Sequence, residues 1–328
     1  MAAYTGIQGQ NILIVSSDPA NPTEGQIWYN STTNLLKGYA LVAAAWASGG
    51  NLNTARNGLV GAGTQTASLG FGGYTTAVSA ASESYNGASW TNTPSLNTAR
   101  IMGGGFGIQT SALGFGGIST VFTGATESFN GSSWTSSPNS LSPRYNVGGA
   151  GASSTAGIAF GGNIPAGVSS ATESWNGTTW SPVANLNTGR AALAGAGTQT
   201  AALGFAGDTG PSTTVVTATE SWNGSSWTSV NSLNTARNQL AGAGTQTLAL
   251  AFGGSISGSS GVTNTELWNG TSWTASPSVL TTGRYNLGGC GTQTLGIAFG
   301  GRTAPTTNSS ATEEWTGAAV AVRTITTS

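Results

Sequence analysis

Three phrases recur along the chain in one fixed order, and this repeat constrains the fold more than any other feature. LNTAR and its variants place arginines at Arg56, Arg100, Arg144, Arg190, Arg237 and Arg284, in steps of 44, 44, 46, 47 and 47 residues. GFGG, AFGG or GFAG places Phe71, Phe115, Phe160, Phe205, Phe252 and Phe299. TESWNGTTW and its variants end in Trp90, Trp134, Trp180, Trp227 and Trp273. Phrases that hold phase through six copies require an architecture in which each copy is one structural unit stacked on its neighbours.

Within a copy the pattern predicts four short strands and no helix. In the copy after Leu186, strand a is expected over 191–197, strand b over 201–207, strand c over 218–222 and strand d over 226–230. Asn223-Gly224 between c and d reads as a tight hairpin turn with both residues at positive φ. The same dipeptide stands at Asn86-Gly87, Asn130-Gly131, Asn176-Gly177 and Asn269-Gly270, so the N-G-[ST] sequons of the repeat follow from turn chemistry. The GAGTQT phrases precede a strand and lack a lysine, so they read as turns rather than phosphate loops. Four strands in a period near 45 residues suit a propeller blade. The small residues of strand a fit the crowded axis, and the Phe and Trp residues supply packing between blades. The expected fold class is therefore all-β, a β-propeller of six four-stranded blades, or seven if the N-terminal residues complete a blade. The 52 glycines do not signal disorder, because 11 Trp and 9 Phe supply apolar surface to bury.

The repeat resembles the kelch repeat: a Gly-Gly pair closing strand b, an aromatic in strand c, a Trp shortly after and an Arg about ten residues further on. The second copy supplies Gly116-Gly117, Phe129, Trp134 and Arg144. The resemblance spans about residues 47–328 and implies a kelch-like propeller domain there. It departs in the tight spacing from Tyr85 to Trp90, and in the last copy, TEEWTGAAVAVRTITTS, which lacks the Trp.

Charge is scarce, with nine basic and ten acidic residues. Six of the acids share one phase in strand c: Glu83, Glu127, Glu173, Glu220, Glu266 and Glu313. With the six arginines they read as structural pairs, bidentate and half-buried, that hold each blade or join adjacent blades. A site used once has no reason to recur six times in register. There is no histidine, which removes the commonest general base and metal ligand. The acids outside the repeat phase are scattered, and Glu313-Glu314 point to opposite faces of a strand. The expectation is a protein that is not an enzyme and uses no cofactor or metal. A net charge of −1 offers no basic stripe for nucleic acid, and no segment is long and apolar enough for membrane insertion. Cys290 is the sole cysteine, so no internal disulfide forms. The N-terminal MAAYTGIQGQNILIV lacks a basic start and a long apolar core, so no ordinary secretion signal is expected.

The copies differ mainly in the b–c loops. In a propeller these loops share one face with the d–a loops, and that face is free to specialise. It carries Tyr74, Phe122, Asp208, Pro211 and Arg302 as candidate ligand- or partner-binding residues. Its Ser-, Thr- and Asn-rich chemistry suits a glycan or a protein surface. Residues 1–46 break the period and read as an arm, with strands expected over 26–29, 35–41 and 44–46 and an edge strand in NILIV that docks on another chain. The arm supplies an outer strand to the last copy, closing the ring. Its phrase PTEGQIWYNSTTNLLKGY resembles a short module of bacteriophage tail and fibre virion proteins. That resemblance implies a virion component, in a tail fibre, baseplate or capsid decoration, that contacts other virion proteins through the arm and a host surface through its loops, with a homo-oligomer as one form. The alternatives are an extracellular microbial adhesin or lectin at the cell surface and an intracellular interaction scaffold.

Overall fold

The structure, a computed structural model, describes residues 12–138, 142–210, 214–256 and 260–326. It divides into two compact units, Trp46–Thr316 and a smaller one made of Met1–Ala45 with Gly317–Ser328.

The larger unit is an all-β propeller arrangement of six four-stranded antiparallel sheets. In the fourth blade the strands are Ala194–Gly197, Ala202–Phe205, Thr219–Trp222 and Trp227–Val230, in spatial order a–b–c–d. These are shorter than the sequence pattern suggests. Ala192, at φ 52°, turns the chain before strand a, and Ala206 and Gly207, at φ 61° and 96°, turn it after strand b. The innermost strands touch in a cycle that returns from Gly288–Gly291 of the last blade to Val60–Thr64 of the first. A Cβ on Gly195, in the inner strand of blade 4, would lie 2.3 Å from the carbonyl oxygen of Gly149 in the inner strand of blade 3. Only glycine lets two backbones approach so closely at the axis.

Blade 6 takes its strands a, b and c from Gly288–Gly291, Leu295–Phe299 and Thr312–Thr316. Its outer strand is Ala45–Ser48, from the other end of the repeat. Trp46 there replaces the Trp that the last copy lacks. Its ring lies 5.1 Å from Phe252 and its Nε1 donates to Thr265 Oγ1 at 3.0 Å. The same two contacts recur at every seam. Each strand-b Phe packs on the strand-d Trp of the next blade, as in Phe160–Trp227 at 4.9 Å and Phe299–Trp90 at 4.7 Å. That Trp donates to a hydroxyl in strand c of the blade before it, as Trp227 does to Thr172 and Trp90 to Thr312.

A third stitch comes from the TQT turns. The Nε2 of Gln65, Gln109, Gln199, Gln246 and Gln293 donates to a carbonyl at the end of strand c in the preceding blade, Trp175 O for Gln199 and Trp315 O for Gln65. These turns therefore join blades as well as reverse the chain. The c–d hairpins also differ from expectation. Only the glycine is at positive φ, 93° at Gly224. Asn223 stays out of the left-handed region because its Oδ1 accepts from the N–H groups of Ser225 and Ser226, an Asx turn that fixes the loop through the side chain.

The smaller unit is one sheet in the order β1 (Leu13–Val15), β2 (Ile27–Asn30), β3 (Leu35–Val42), then Ala319–Thr324. The arm's strands expected at 26–29 and 35–41 thus lie in a separate sheet, while the one expected at 44–46 is the Ala45–Ser48 strand of blade 6. The strand Ala319–Thr324, which the repeat phasing counts with the propeller, belongs here because Ala45–Ser48 already occupies the outer place in blade 6. β1 pairs in parallel with β2 and forms an edge. Asp18 ties the sheet together, accepting from Trp28 Nε1 at 3.0 Å, Asn30 Nδ2 at 2.7 Å and Lys37 Nζ at 2.7 Å.

Two outcomes are expected from this architecture. Trp46→Ala removes the aromatic that closes the cycle and should cost about 3 kcal/mol in urea unfolding; a loss under about 1 kcal/mol would mean the ring is closed by other contacts. Asp18 has its pKa lowered to about 2, chiefly by the bonds from Lys37, Asn30 and Trp28. Its contribution is present above the ordinary carboxyl range and is lost as pH falls towards 2. The Trp28 indole N–H resonance should shift across that window and become insensitive to it in Asp18→Asn.

Candidate functional site

The six repeat arginines and glutamates are almost wholly buried and form six ion pairs, each within one blade. Arg190 Nη2 meets Glu220 Oε1 at 2.9 Å, and the Arg100–Glu127 pair is closer still. The bond is not bidentate. Arg190 Nη1 instead donates to the carbonyls of Ala206 and Ala218, at 2.9 and 2.8 Å, and Glu220 Oε2 accepts from the N–H of Asn187 at 2.7 Å. Both ends of the pair are thus divided between the partner and the backbone, which clamps the incoming d–a loop onto strands b and c. Desolvation pushes the guanidinium of Arg237 down to about 10, against the pull of Glu266. It stays charged at neutral pH, as its ion pair with Glu266 requires.

The arginine backbone links to the neighbouring blade. The carbonyl of Arg190 accepts from Gly162 N–H at 2.8 Å, and the same bond recurs from Gly73 to Arg100 and from Gly301 to Arg56. Two residues beyond each arginine lie Gly58, Met102, Asn146, Ala192, Gln239 and Asn286, all at φ between 52° and 62°. Each N–H donates to the carbonyl of its counterpart in the preceding blade, at 2.7–2.9 Å, and Gly58 donates to Asn286. Six backbone hydrogen bonds therefore form a closed ring. These residues line one end of a central cavity of about 230 Å³ walled by strand-a glycines and alanines.

The residue after each arginine pairs, by an antiparallel bridge, with the residue after the glycine pair of strand b. The pairs are Asn57–Tyr74, Ile101–Ile118, Tyr145–Asn163, Ala191–Asp208, Asn238–Ser255 and Tyr285–Arg302. The d–a and b–c loops thus meet on one face around the ring, and here the copies differ most. Tyr74, Asp208 and Arg302 occupy one equivalent position in blades 1, 4 and 6, so they stand apart around the face rather than in one cluster. Phe122 packs on Tyr145 of the next blade, with ring centroids 4.8 Å apart. Arg302 is half-buried, and among the described residues its Nε has no hydrogen-bond partner. Asp208 is buried and accepts from Asn238 Nδ2 at 3.0 Å. Pro211 lies outside the described residues. Sequence reasoning passed over the residues that follow the arginines, although ARNG, ARIM, PRYN, GRAA, ARNQ and GRYN vary at positions flanked by constant ones.

Other polar groups are absorbed by the fold. Glu314 accepts from Tyr85 Oη at 2.7 Å. Burial pushes the Cys290 thiol up to about 12, so it is no nucleophile at neutral pH. Among the described residues no three His, Cys, Asp or Glu side chains gather as metal ligands would. The sequence matches no protein-family model and no curated protein.

Proposed function

We propose that the chain is a non-enzymatic, kelch-like binding propeller of a phage virion, attached by its N-terminal unit and presenting the b–c and d–a loop face to a host surface. One observation carries the reading: the copies keep the residues that build blades and seams and diverge around one rim. That rim offers a tilted aromatic pair, Phe122–Tyr145, together with the part-exposed Tyr74 and Arg302, set among hydroxyl and amide groups. Aromatic rings with amides and hydroxyls suit a glycan or a polar protein surface. The virion assignment rests on the likeness of PTEGQIWYNSTTNLLKGY to tail and fibre modules, and on the uncharged composition.

Mass spectrometry of purified virions should find the protein among the structural components, and its absence there would overturn the virion assignment. The double variant Phe122→Ala, Arg302→Ala should keep its urea midpoint and lose about tenfold or more in attachment to host cells, equivalent to about 1.4 kcal/mol. Unchanged attachment would remove this rim as the binding surface.

A further inference from the structure

The chain contains six Asn-Gly pairs, and the structure treats them in two ways. Five stand at the tips of the c–d hairpins, and their asparagines, Asn86, Asn130, Asn176, Asn223 and Asn269, are all exposed. In each, Oδ1 accepts from the main-chain N–H groups two and three residues on, at 2.8–3.0 Å. The glycine that follows sits at φ 88–93°. Among the described residues its N–H has no hydrogen-bond partner, and neither has the Nδ2 of the asparagine. The sixth pair, Asn57-Gly58, belongs to the inner ring. Asn57 is 1% exposed, and its Nδ2 donates to Asn308 Oδ1 at 2.7 Å and to Tyr74 O at 3.4 Å. The N–H of Gly58 is engaged as well, donating to Asn286 O at 2.8 Å.

This contrast matters for the chemistry of an asparagine beside a main-chain nitrogen. Three things keep that nitrogen from attacking the side-chain amide: bulk on its own residue, a hydrogen bond that ties up its N–H, and exclusion of water. Glycine removes the first, because it has no Cβ. At the five tips the second and third are also missing. The Asx turn folds the asparagine side chain back over its own main chain. The two N–H donors on Oδ1 draw electron density from Cγ, the carbon to be attacked. The unpartnered Nδ2 faces water, into which it can leave. At Asn57-Gly58 the nitrogen is engaged, the amide is held by two acceptors and water is shut out.

We propose that the five c–d turns are self-modifying sites, at which the asparagine side chains deamidate while Asn57 is spared. The glycine nitrogen attacks Cγ, and the new N–Cγ bond closes a succinimide ring as the Cγ–Nδ2 bond breaks. The proton of the glycine N–H passes through water to the departing nitrogen, which leaves as ammonia. Water then opens the ring at one of its two carbonyls, giving aspartate or isoaspartate. Aspartate keeps both acceptor bonds, now charge-assisted, so the turn survives. Isoaspartate adds a carbon to the main chain and loses the Asx turn. Each conversion adds one negative charge to a chain whose net charge is −1. The tips lie against the a–b turns, where a Cβ on Gly224 would be 3.4 Å from Thr200 O. The new charge therefore gathers at the end of the blades opposite the variable rim, and the inference stands whether or not that rim binds a partner.

The full chain is incubated at mildly alkaline pH, folded and in urea, and each asparagine is followed by peptide mapping that separates aspartate from isoaspartate. In the folded chain the five tips should convert to mixtures of the two. Asn57 reacts only when the ring opens and should lag by about a hundredfold or more. In urea all six should convert alike. Gly224→Ala should slow conversion at Asn223 alone, with the other four tips as internal standards. Asn223→Asp should keep the urea midpoint of the wild type. Conversion of Asn57 at the pace of the tips would overturn the proposal. So would tips that stay intact in the folded chain while all six convert in urea, products free of isoaspartate, or an Asn223 that converts at its usual rate in Gly224→Ala. A lowered midpoint in Asn223→Asp would overturn the survival of the turn.

Discussion

Each seam between blades turns on one arginine. Its side chain pairs with a glutamate of its own blade and, in all but Arg144, also donates to two carbonyls there; its carbonyl accepts from the preceding blade, and the residue two places on enters the hydrogen-bonded ring at the axis. Removing such a buried partner leaves an uncompensated charge, and this costs about 3–5 kcal/mol. The carboxylate in turn holds the N–H of Asn187, three residues before Arg190. A single residue type therefore sets the loop path, the blade and the seam. The Phe–Trp contacts and the glutamine bonds stitch blades that this junction has already placed side by side.

Much of this was legible because repetition acts as an internal control. Arg56 to Arg284 and Glu83 to Glu313 could be matched by phase alone, and Ala45–Ser48 could be assigned to the last blade because its Trp46 supplies what that copy lacks. The division of pairs such as Arg190–Glu220 between partner and backbone was not legible. It depends on carbonyls, such as those of Ala206 and Ala218, that no side-chain pattern reports. The Asn-Gly hairpins were misread for a related reason: the dipeptide signals a tight turn, but the Asn223 side chain builds an Asx turn that needs only Gly224 at positive φ. The strand Ala319–Thr324 was hidden because its pattern resembles any outer strand, and the choice between two sheets depends on which edge is already taken.

The division between constant and variable positions also organises function. Residues whose neighbours are fixed by axis, seam or clamp have little freedom to change. Those on the rim, one and two places after the arginine and just beyond the glycine pair, keep their backbone bonds whatever side chain they carry. The backbone of the ring is six-fold while its side chains run from Gly58 to Met102 to Gln239. A symmetric scaffold thus displays an asymmetric surface, and chemical identity is concentrated where backbone bonding is complete. Asp208 is the clearest case: among the described residues it is the one buried charge outside the six ion pairs.

The central claim is that the Arg–Glu pair acts as one cooperative unit at each seam. A double-mutant cycle on Arg190→Met and Glu220→Leu, read by urea unfolding, tests it most directly. The account predicts a coupling energy of about 2–3 kcal/mol, with the double variant less destabilised than the sum of the singles. Effects that add to within about 0.5 kcal/mol would contradict it.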